Sequence, residues 1–134
     1  MKLMTRLFSI TLSVAICTEL KAQQQENDFA AIAYSPLTKS IGIAQAHNSK
    51  AAAEAAAMQD CRSQQKSPAD CQPAAWVAGG CAAIAVSSKG AWGGHYGGDQ
   101  SEARSKAIAQ CATYTQGADK ASCAVLTIIC TPRR

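Results

Sequence analysis

The stretch from Cys81 to Cys111 decides the fold, because an earlier copy of it lies upstream in the same chain. It reads CAAIAVSSKGAWGGHYGGDQSEARSKAIAQC. The copy begins at Phe29, where FAAIAYS matches CAAIAVS, and it ends at Cys61 after a similar alanine-rich run. Between these points the pair Ile-Gly at 41–42 matches Trp-Gly at 92–93. Such self-similarity indicates a tandem duplication.

Both copies show the same order of secondary-structure signals. Apolar residues at a period of two predict strands, Pro- and Gly-containing polar stretches predict turns, and runs of strong helix formers behind a capping residue predict helices. In the first copy we predict strands at 29–34 and from 41, a helix at 50–62 and a strand at 72–77. In the second we predict strands at 82–86 and 91–96, a helix at 100–114 and a strand at 124–130.

This twofold ββαβ order predicts an α+β fold with a mostly antiparallel sheet and two helices on one face, related by a pseudo-two-fold axis. Each helix carries small residues at spacings of four, which place them on one face and allow close packing on a sheet. These stripes are Ala53, Ala57 and Cys61, and Ala103, Ala107 and Cys111. Asp99 and Glu102 predict a capping box, in which Glu102 accepts the N–H of Asp99.

The first 22 residues have the features of a cleavable secretory signal peptide. Lys2 and Arg6 precede a short apolar run, and Ala22 offers a small residue at the cleavage point. The run is too short for an ordinary membrane span. Lipidation at Cys17 is the alternative, but Ile16 is larger than the residue that normally precedes a lipidated cysteine. We therefore expect a protein that is secreted or periplasmic.

The rest of the chain is expected to form one domain. Residues 23–28 predict a disordered leader, 29–130 a single domain of two repeats (29–78 and 81–130), and 131–134 a tail. Cleavage would remove three basic residues and one acidic residue, lowering the formal net charge from +4 to +2. With no basic run interleaved with aromatics, we expect no nucleic-acid partner, and the sequence leaves the oligomeric state open.

The repeated sequence motifs resemble those of a known family. FAAIAYSP at 29–36, CAAIAV at 81–86, the Gly-rich segment at 92–98 before an Ala/Glu-rich helix, and the cysteine pattern are similar to the exported bacterial domain-of-unknown-function family 4189. The resemblance covers nearly the whole mature chain. It implies an exported α+β domain and brings no established catalytic residues.

Six cysteines remain after the predicted cleavage, which in an exported domain indicates three disulfides. Six cysteines allow 15 pairings, but the duplication favours one. The pair Cys61 and Cys71 occupies the positions of Cys111 and Cys123, so we predict Cys61–Cys71, Cys111–Cys123 and, by remainder, Cys81–Cys130. A metal site is the alternative; however, the chain has no Cys-x-x-Cys and no histidine at ligand spacing from a cysteine.

His95 is the most tempting candidate for catalysis, because Asp99 follows four residues later. The competing interpretation is a histidine on the outer face of a strand, with Asp99 used as a helix cap. The chain has no Gly-x-Ser-x-Gly, and the even cysteine count that remains after the predicted cleavage leaves no free thiol. Gly-x-Gly-x-x-Gly is also absent. We therefore predict no catalytic, cofactor-binding or metal-binding residues.

We expect a non-enzymatic binding domain, such as an inhibitor or immunity protein against a secreted hydrolase or toxin, with a protein partner outside the cytoplasm. Its predicted contact surface is the rim at 92–99, with Trp92, His95, Tyr96 and Asp99, together with the polar loop at 62–70. Trp76 is a further aromatic candidate, although at least one tryptophan is expected in the core. Two alternatives remain open: a secreted effector that acts on a host or competitor, and a small hydrolase that uses His95 and Asp99.

Overall fold

The computed structural model describes residues 27–64 and 70–133. The predicted signal peptide at 1–22, including Cys17, lies outside these residues. So do residues 65–69 of the loop that the sequence analysis placed at 62–70.

Each repeat folds into the predicted ββαβ order, which confirms the α+β class and the duplicated unit. The first repeat contains β1 (Phe29–Tyr34), β2 (Ile41–His47), α1 (Lys50–Ser63) and β3 (Gln72–Ala78). The second contains β4 (Cys81–Val86), β5 (Trp92–Gly97), α2 (Gln100–Thr113) and β6 (Ala124–Cys130). A short 3₁₀ helix at Gly117–Ser122, which the sequence analysis did not predict, precedes β6.

The strands form two sheets, which differs from the single sheet with two helices on one face that the sequence analysis expected. Each repeat makes its own three-stranded antiparallel sheet, in the orders β2-β1-β3 and β5-β4-β6. Residues from both sheets share one buried cluster, while α1 packs on the other face of the first sheet and α2 on the other face of the second. The layers are therefore helix, sheet, sheet, helix.

The two faces of the central strands explain this arrangement. In β1, Ile32 and Tyr34 belong to the cluster between the sheets, whereas Ala31 and Ala33 pack with α1. All four side chains are fully buried. Because both faces of the strand are apolar, each face needs its own cover. The larger side chains of Ile32 and Tyr34 therefore fill the space between the two sheets, and the small side chains of Ala31 and Ala33 let α1 pack close to the first sheet.

The helices begin where the capping residues predict. The Ser49 hydroxyl accepts the N–H of Ala52 at 3.1 Å, and Asp99 Oδ1 accepts the N–H of Glu102 at 2.9 Å. One detail of the predicted capping box is corrected: Glu102 Oε2 accepts the N–H of Gly98, at 2.7 Å, and not that of Asp99. The carboxylate thus reaches one residue further back along the chain and holds the end of β5 to the first turn of α2.

The three disulfides join the pairs that the duplication predicts. Cys61–Cys71 and Cys111–Cys123 each link the end of a helix to the residue before the next strand, and Cys81–Cys130 links the paired strands β4 and β6. Both repeats are therefore stapled in the same way, and the second has an additional bridge inside its sheet.

Strand β2 contains one more residue than β5 between matching points of the ladder. Its register with β1 shifts between Phe29 and Ala31, and Ala46 adopts a left-handed φ of 60° there. Strand β5 pairs with β4 without a shift. This bulge explains why the helices of the two repeats are offset by fifty residues and the preceding strands by fifty-one.

Candidate functional site: an aromatic surface at the junction of the repeats

The candidate site lies where strands β3 and β5, each at the edge of its own sheet, approach one another. Gly94 of β5 faces the backbone of β3 so closely that a Cβ on it would lie 2.1 Å from the carbonyl oxygen of Ala74. Only a residue without a side chain fits this contact. Gly94 therefore brings side chains of the first repeat next to side chains of the second.

Four rings meet in sequence across this junction, and we call them the aromatic row: Phe29, Trp76, Tyr96 and His95. Phe29 and Trp76 stack with centroids 6.2 Å apart, Trp76 and Tyr96 are 6.1 Å apart, and Tyr96 and His95 are 5.3 Å apart. These distances are typical of interacting ring pairs. Tyr96 is 52% exposed, and the other three rings are half-buried. The row is thus held by its own contacts and still presents ring surface to solvent.

One lysine from each helix lies against the row. Lys50 Nζ lies 4.8 Å from the ring centroid of Trp76, and Lys106 Nζ lies 6.0 Å from that of Tyr96. Both distances are within the range of cation–π attraction. Lys106 also pairs with Glu102 at 2.6 Å, and Lys50 pairs with Glu54 at 3.9 Å. The hydrogen bond from Lys106, followed by that from the Gly98 N–H, lowers the pKa of Glu102. Charged groups therefore border the rings on both sides.

The four residues predicted for the rim occupy different environments. Tyr96 and His95 belong to the aromatic row. Trp92 instead packs edge-on against the buried Tyr34, with centroids 5.6 Å apart and an interplanar angle of 63°. Asp99 caps α2. Trp76 joins Tyr96 and also packs against the buried cluster between α1 and the first sheet, whereas Trp92 packs against the cluster between the two sheets.

The structure does not bring His95 and Asp99 together as a catalytic pair. His95 Nδ1 lies 2.9 Å from the N of Tyr96 and 3.0 Å from its O, so the backbone of the next residue occupies this ring nitrogen in either tautomer. Asp99 uses its carboxylate on the first turn of α2. Across residues 27–64 and 70–133, no hydrogen bond or ion pair joins the two side chains.

A cleft of about 560 Å³ opens beside the other end of β5. Its walls are uncharged and come from both repeats; they comprise Pro36, Ala74, Gly90, Ala91, Trp92, Gly93, Gly94, Gln110 and Tyr114. Tyr114 is 64% exposed. We call this space the β5 cleft.

In the predicted polar loop, Arg62, Ser63 and Gln64 are exposed, whereas Asp70 is half-buried and bonds the β1–β2 turn. The Ser35 hydroxyl donates to Asp70 Oδ1, and the Leu37 N–H donates to Asp70 Oδ2 at 2.9 Å. The hydrogen bond from Ser35 is the main reason that the pKa of Asp70 is lowered. Asp70 therefore fastens the chain before β3 to the β1–β2 turn.

A family model described as a domain of unknown function, DUF4189, matches residues 29–130. The chain belongs to the DUF4189 family. No curated protein and no solved structure matches the chain. The match spans both repeats of this DUF4189 protein, so the aromatic row and the β5 cleft lie entirely within the family domain.

Neither 27–64 nor 70–133 contains a cluster of His, Cys, Asp or Glu side chains arranged to hold a metal ion. In the same residues, no helix has the length and apolarity to cross a membrane.

Sequence reasoning missed four residues around the candidate site. Phe29 could have been found from the repeat. It begins β1 at the position where Cys81, which is bonded to Cys130, begins β4, so the first repeat has an aromatic ring in place of a disulfide. Lys50, Lys106 and Tyr114 lie at helix positions where the sequence shows only a solvated face. Their approach to the rings and the cleft depends on how each helix packs on its sheet.

Proposed function

We propose that this DUF4189 protein is an exported, non-enzymatic binding domain that docks a protein partner through the aromatic row. In its most concrete form it is an inhibitor or immunity protein against a secreted hydrolase or toxin. The observation that carries the proposal is the contact between Trp76 and Tyr96, which joins the two repeats in one exposed aromatic surface.

The residue types of the row fit this role. Tryptophan and tyrosine are enriched among the residues that contribute most to protein–protein binding, because they bury a large area with few rotatable bonds. Lys50 and Lys106 border the rings, as polar groups border the apolar centre of typical interfaces. The pattern of half-buried rings with a charged rim therefore favours docking of a protein surface.

The scaffold also favours binding over catalysis. Ring contacts hold the row, and each of the two repeats that carry it is cross-linked internally, by one disulfide in the first repeat and two in the second. A surface that is ordered before binding loses little conformational entropy on association. Stable disulfides form in oxidising compartments, which supports action in the periplasm or outside the cell.

The test uses the oxidised mature domain as bait for periplasmic and culture-medium fractions. Three baits are compared: the wild type, the double variant Trp76→Ala/Tyr96→Ala, and Leu126→Ala as a control. Leu126 is a 48% exposed apolar residue on β6, at the opposite edge of the second sheet from β5. We expect a stoichiometric partner that the wild type and Leu126→Ala retain and that the double variant loses.

The captured partner is then purified and assayed for hydrolase or toxin activity while the domain is added. A fall in activity that is complete at a stoichiometric ratio supports the inhibitor. Equal capture by all three baits would show that the aromatic row is not the contact surface. If instead the domain itself hydrolyses a substrate and His95→Ala slows it by about 10²- to 10⁴-fold, the hydrolase interpretation replaces this proposal.

A further inference from the structure

Strands β2 and β5 occupy equivalent edges of the two sheets. They differ in whether side chains of the neighbouring helix bond their outward N–H and carbonyl groups. At the β2 edge, side chains of α1 bond the strand directly. Asp60 Oδ2 accepts the N–H of Ile43 at 2.8 Å, and Gln64 Nε2 donates to the carbonyl of Ile41 at 2.7 Å. The outward N–H of Ile43 and the outward carbonyl of Ile41 are therefore already bonded inside the protein.

At the β5 edge the matching side chains bond each other instead. Gln110 and Tyr114 hold the positions of Asp60 and Gln64, fifty residues on. Gln110 Nε2 donates to the Tyr114 hydroxyl at 3.0 Å. Within the described ranges, 27–64 and 70–133, no side chain bonds the N–H of Gly94 or the carbonyl of Trp92.

These groups point away from the sheet. Ser87 donates its N–H to the carbonyl of Ala91 at 2.8 Å, so Ala91 faces β4. Backbone direction alternates along an antiparallel strand, so Gly93 also faces β4, whereas Trp92 and Gly94 face outward. The open edge borders the β5 cleft, whose lining includes both residues.

The open edge is short. The next outward residue is Tyr96, and its N–H donates to His95 Nδ1 in the tautomer that leaves this nitrogen unprotonated. Pairing with another strand is therefore free only over 92–94. The lining of the cleft also includes Pro36 and Tyr114, which offer apolar surface without charge.

We propose that an extended, uncharged segment of a protein partner pairs with β5 over 92–94 as an added strand and lays its side chains in the β5 cleft. The outward carbonyl of Trp92 can accept a hydrogen bond, and the outward N–H of Gly94 can donate one. An extended polypeptide presents N–H and carbonyl groups at the same two-residue spacing, so it can bond both. The inference rests on the proposed function for the existence of a protein partner, but it uses a separate surface from the aromatic row.

The protein offers a matched control for this edge. The variant Gln110→Asp/Tyr114→Gln copies the α1 side chains into α2 and is expected to bond the N–H of Gly94 and the carbonyl of Trp92, as at β2. Gln110 is half-buried in the last turn of α2, and Tyr114 is the exposed C-cap residue that follows it. In the variant we expect slower hydrogen exchange of the Gly94 amide, measured by NMR, and an unchanged fold by circular dichroism.

The probe is a displayed library of linear ten-residue peptides, selected on the oxidised wild-type domain. We expect enriched peptides that slow exchange of the Gly94 amide and bind the Gln110→Asp/Tyr114→Gln variant at least ten-fold more weakly. N-methylation along the best peptide should weaken binding at every second position only, since alternate N–H groups face β5. This scan needs no protein variant and tests strand pairing on its own.

Three results would overturn the inference. One is a library that yields no binder, another is a set of binders that leaves exchange at Gly94 unchanged, and the third is a peptide whose N-methyl scan lacks the period of two. Analytical ultracentrifugation tests a further outcome. If the wild type self-associates and the Gln110→Asp/Tyr114→Gln variant does not, the strand that pairs with β5 comes from a second copy of this chain, and the inference of a partner segment is wrong. We expect the peptide to bind the Trp76→Ala/Tyr96→Ala variant as well as it binds the wild type. Pairing at β5 can then be confirmed even if the aromatic row proves not to bind a partner.

Discussion

Gly42 of β2 lies directly against the backbone of Ala57 in α1, where a Cβ on the glycine would be 1.9 Å from the carbonyl oxygen. Gly93 repeats this relationship in the second half of the molecule, since its Cβ would lie 2.4 Å from the N of Cys111. Both contacts occur where a helix crosses the second strand of its repeat. The duplicated glycines therefore set how closely each helix packs on its sheet.

Gly42→Ala and Gly93→Ala should each destabilise the fold. The added methyl group meets backbone atoms that cannot move without shifting the helix, and overpacking of this kind typically costs about 1–3 kcal/mol or more. Chemical denaturation of the oxidised protein measures the loss. Gly98→Ala is the control, because its Cβ would meet only the flexible Glu102 carboxylate, at 3.3 Å. Equal stability of all three variants would contradict the close packing.

Tyr34→Phe should leave stability unchanged or raise it by about 1 kcal/mol. Tyr34 is fully buried, and within the described residues its hydroxyl has no hydrogen-bond partner. Removing a buried polar group that lacks a partner removes its desolvation penalty. Burial, followed by the charge of Asp70, raises the pKa of the Tyr34 phenol above the ordinary value for tyrosine. A clear loss of stability in the variant would show that the hydroxyl is hydrogen-bonded in solution.

Removal of the disulfides should have unequal effects. Cys81–Cys130 closes a loop of 49 residues, against 10 for Cys61–Cys71 and 12 for Cys111–Cys123. Chain entropy then gives losses of about 4 kcal/mol for the long loop and about 2.7 kcal/mol for each short one. Paired Cys→Ala variants, unfolded in denaturant, measure these losses. A Cys61/Cys71 variant that is less stable than the Cys81/Cys130 variant would contradict this order.

Asp70 should make the stability depend on acid pH. Its pKa is lowered in the fold by the hydrogen bond from Ser35, so its stabilising contribution is complete above the pKa of an unfolded aspartate. This contribution is lost as the pH falls through the folded value. Thermal unfolding should show wild type more stable than Asp70→Asn at neutral pH, with the difference shrinking below about pH 4. A difference that stays constant down to pH 2 would mean that the Asp70 carboxylate is not stabilised by these bonds.

Local structure was predictable from the sequence because each element carries its own signals. The duplication placed the strands and helices, and it selected the disulfide partners of Cys61 and Cys111. The number of sheets was not predictable in the same way. Alternation of Ile32 with Ala31 and Ala33 shows that both faces of β1 are covered, but it does not say whether a helix or a sheet covers each one.

The candidate site was only partly predictable for a related reason. Tyr96 and His95 lie in the Gly-rich segment at 92–99, which the sequence predicts as a contact surface. Their neighbour Trp76 comes from the other repeat, and the contact depends on the close approach of β3 and β5 at Gly94. No local pattern encodes a contact between edges of separate sheets.

The most direct test of the central claim is the affinity of the purified partner for wild-type domain and for Trp76→Ala/Tyr96→Ala, measured by isothermal titration calorimetry with Leu126→Ala as the control. Removing residues central to an interface costs at least about 2 kcal/mol, so we predict a loss of roughly 30-fold or more in the double variant and little change in the control. Circular dichroism checks that each variant is folded. If the folded double variant binds as tightly as the wild type, the aromatic row is not the binding surface and the account is wrong.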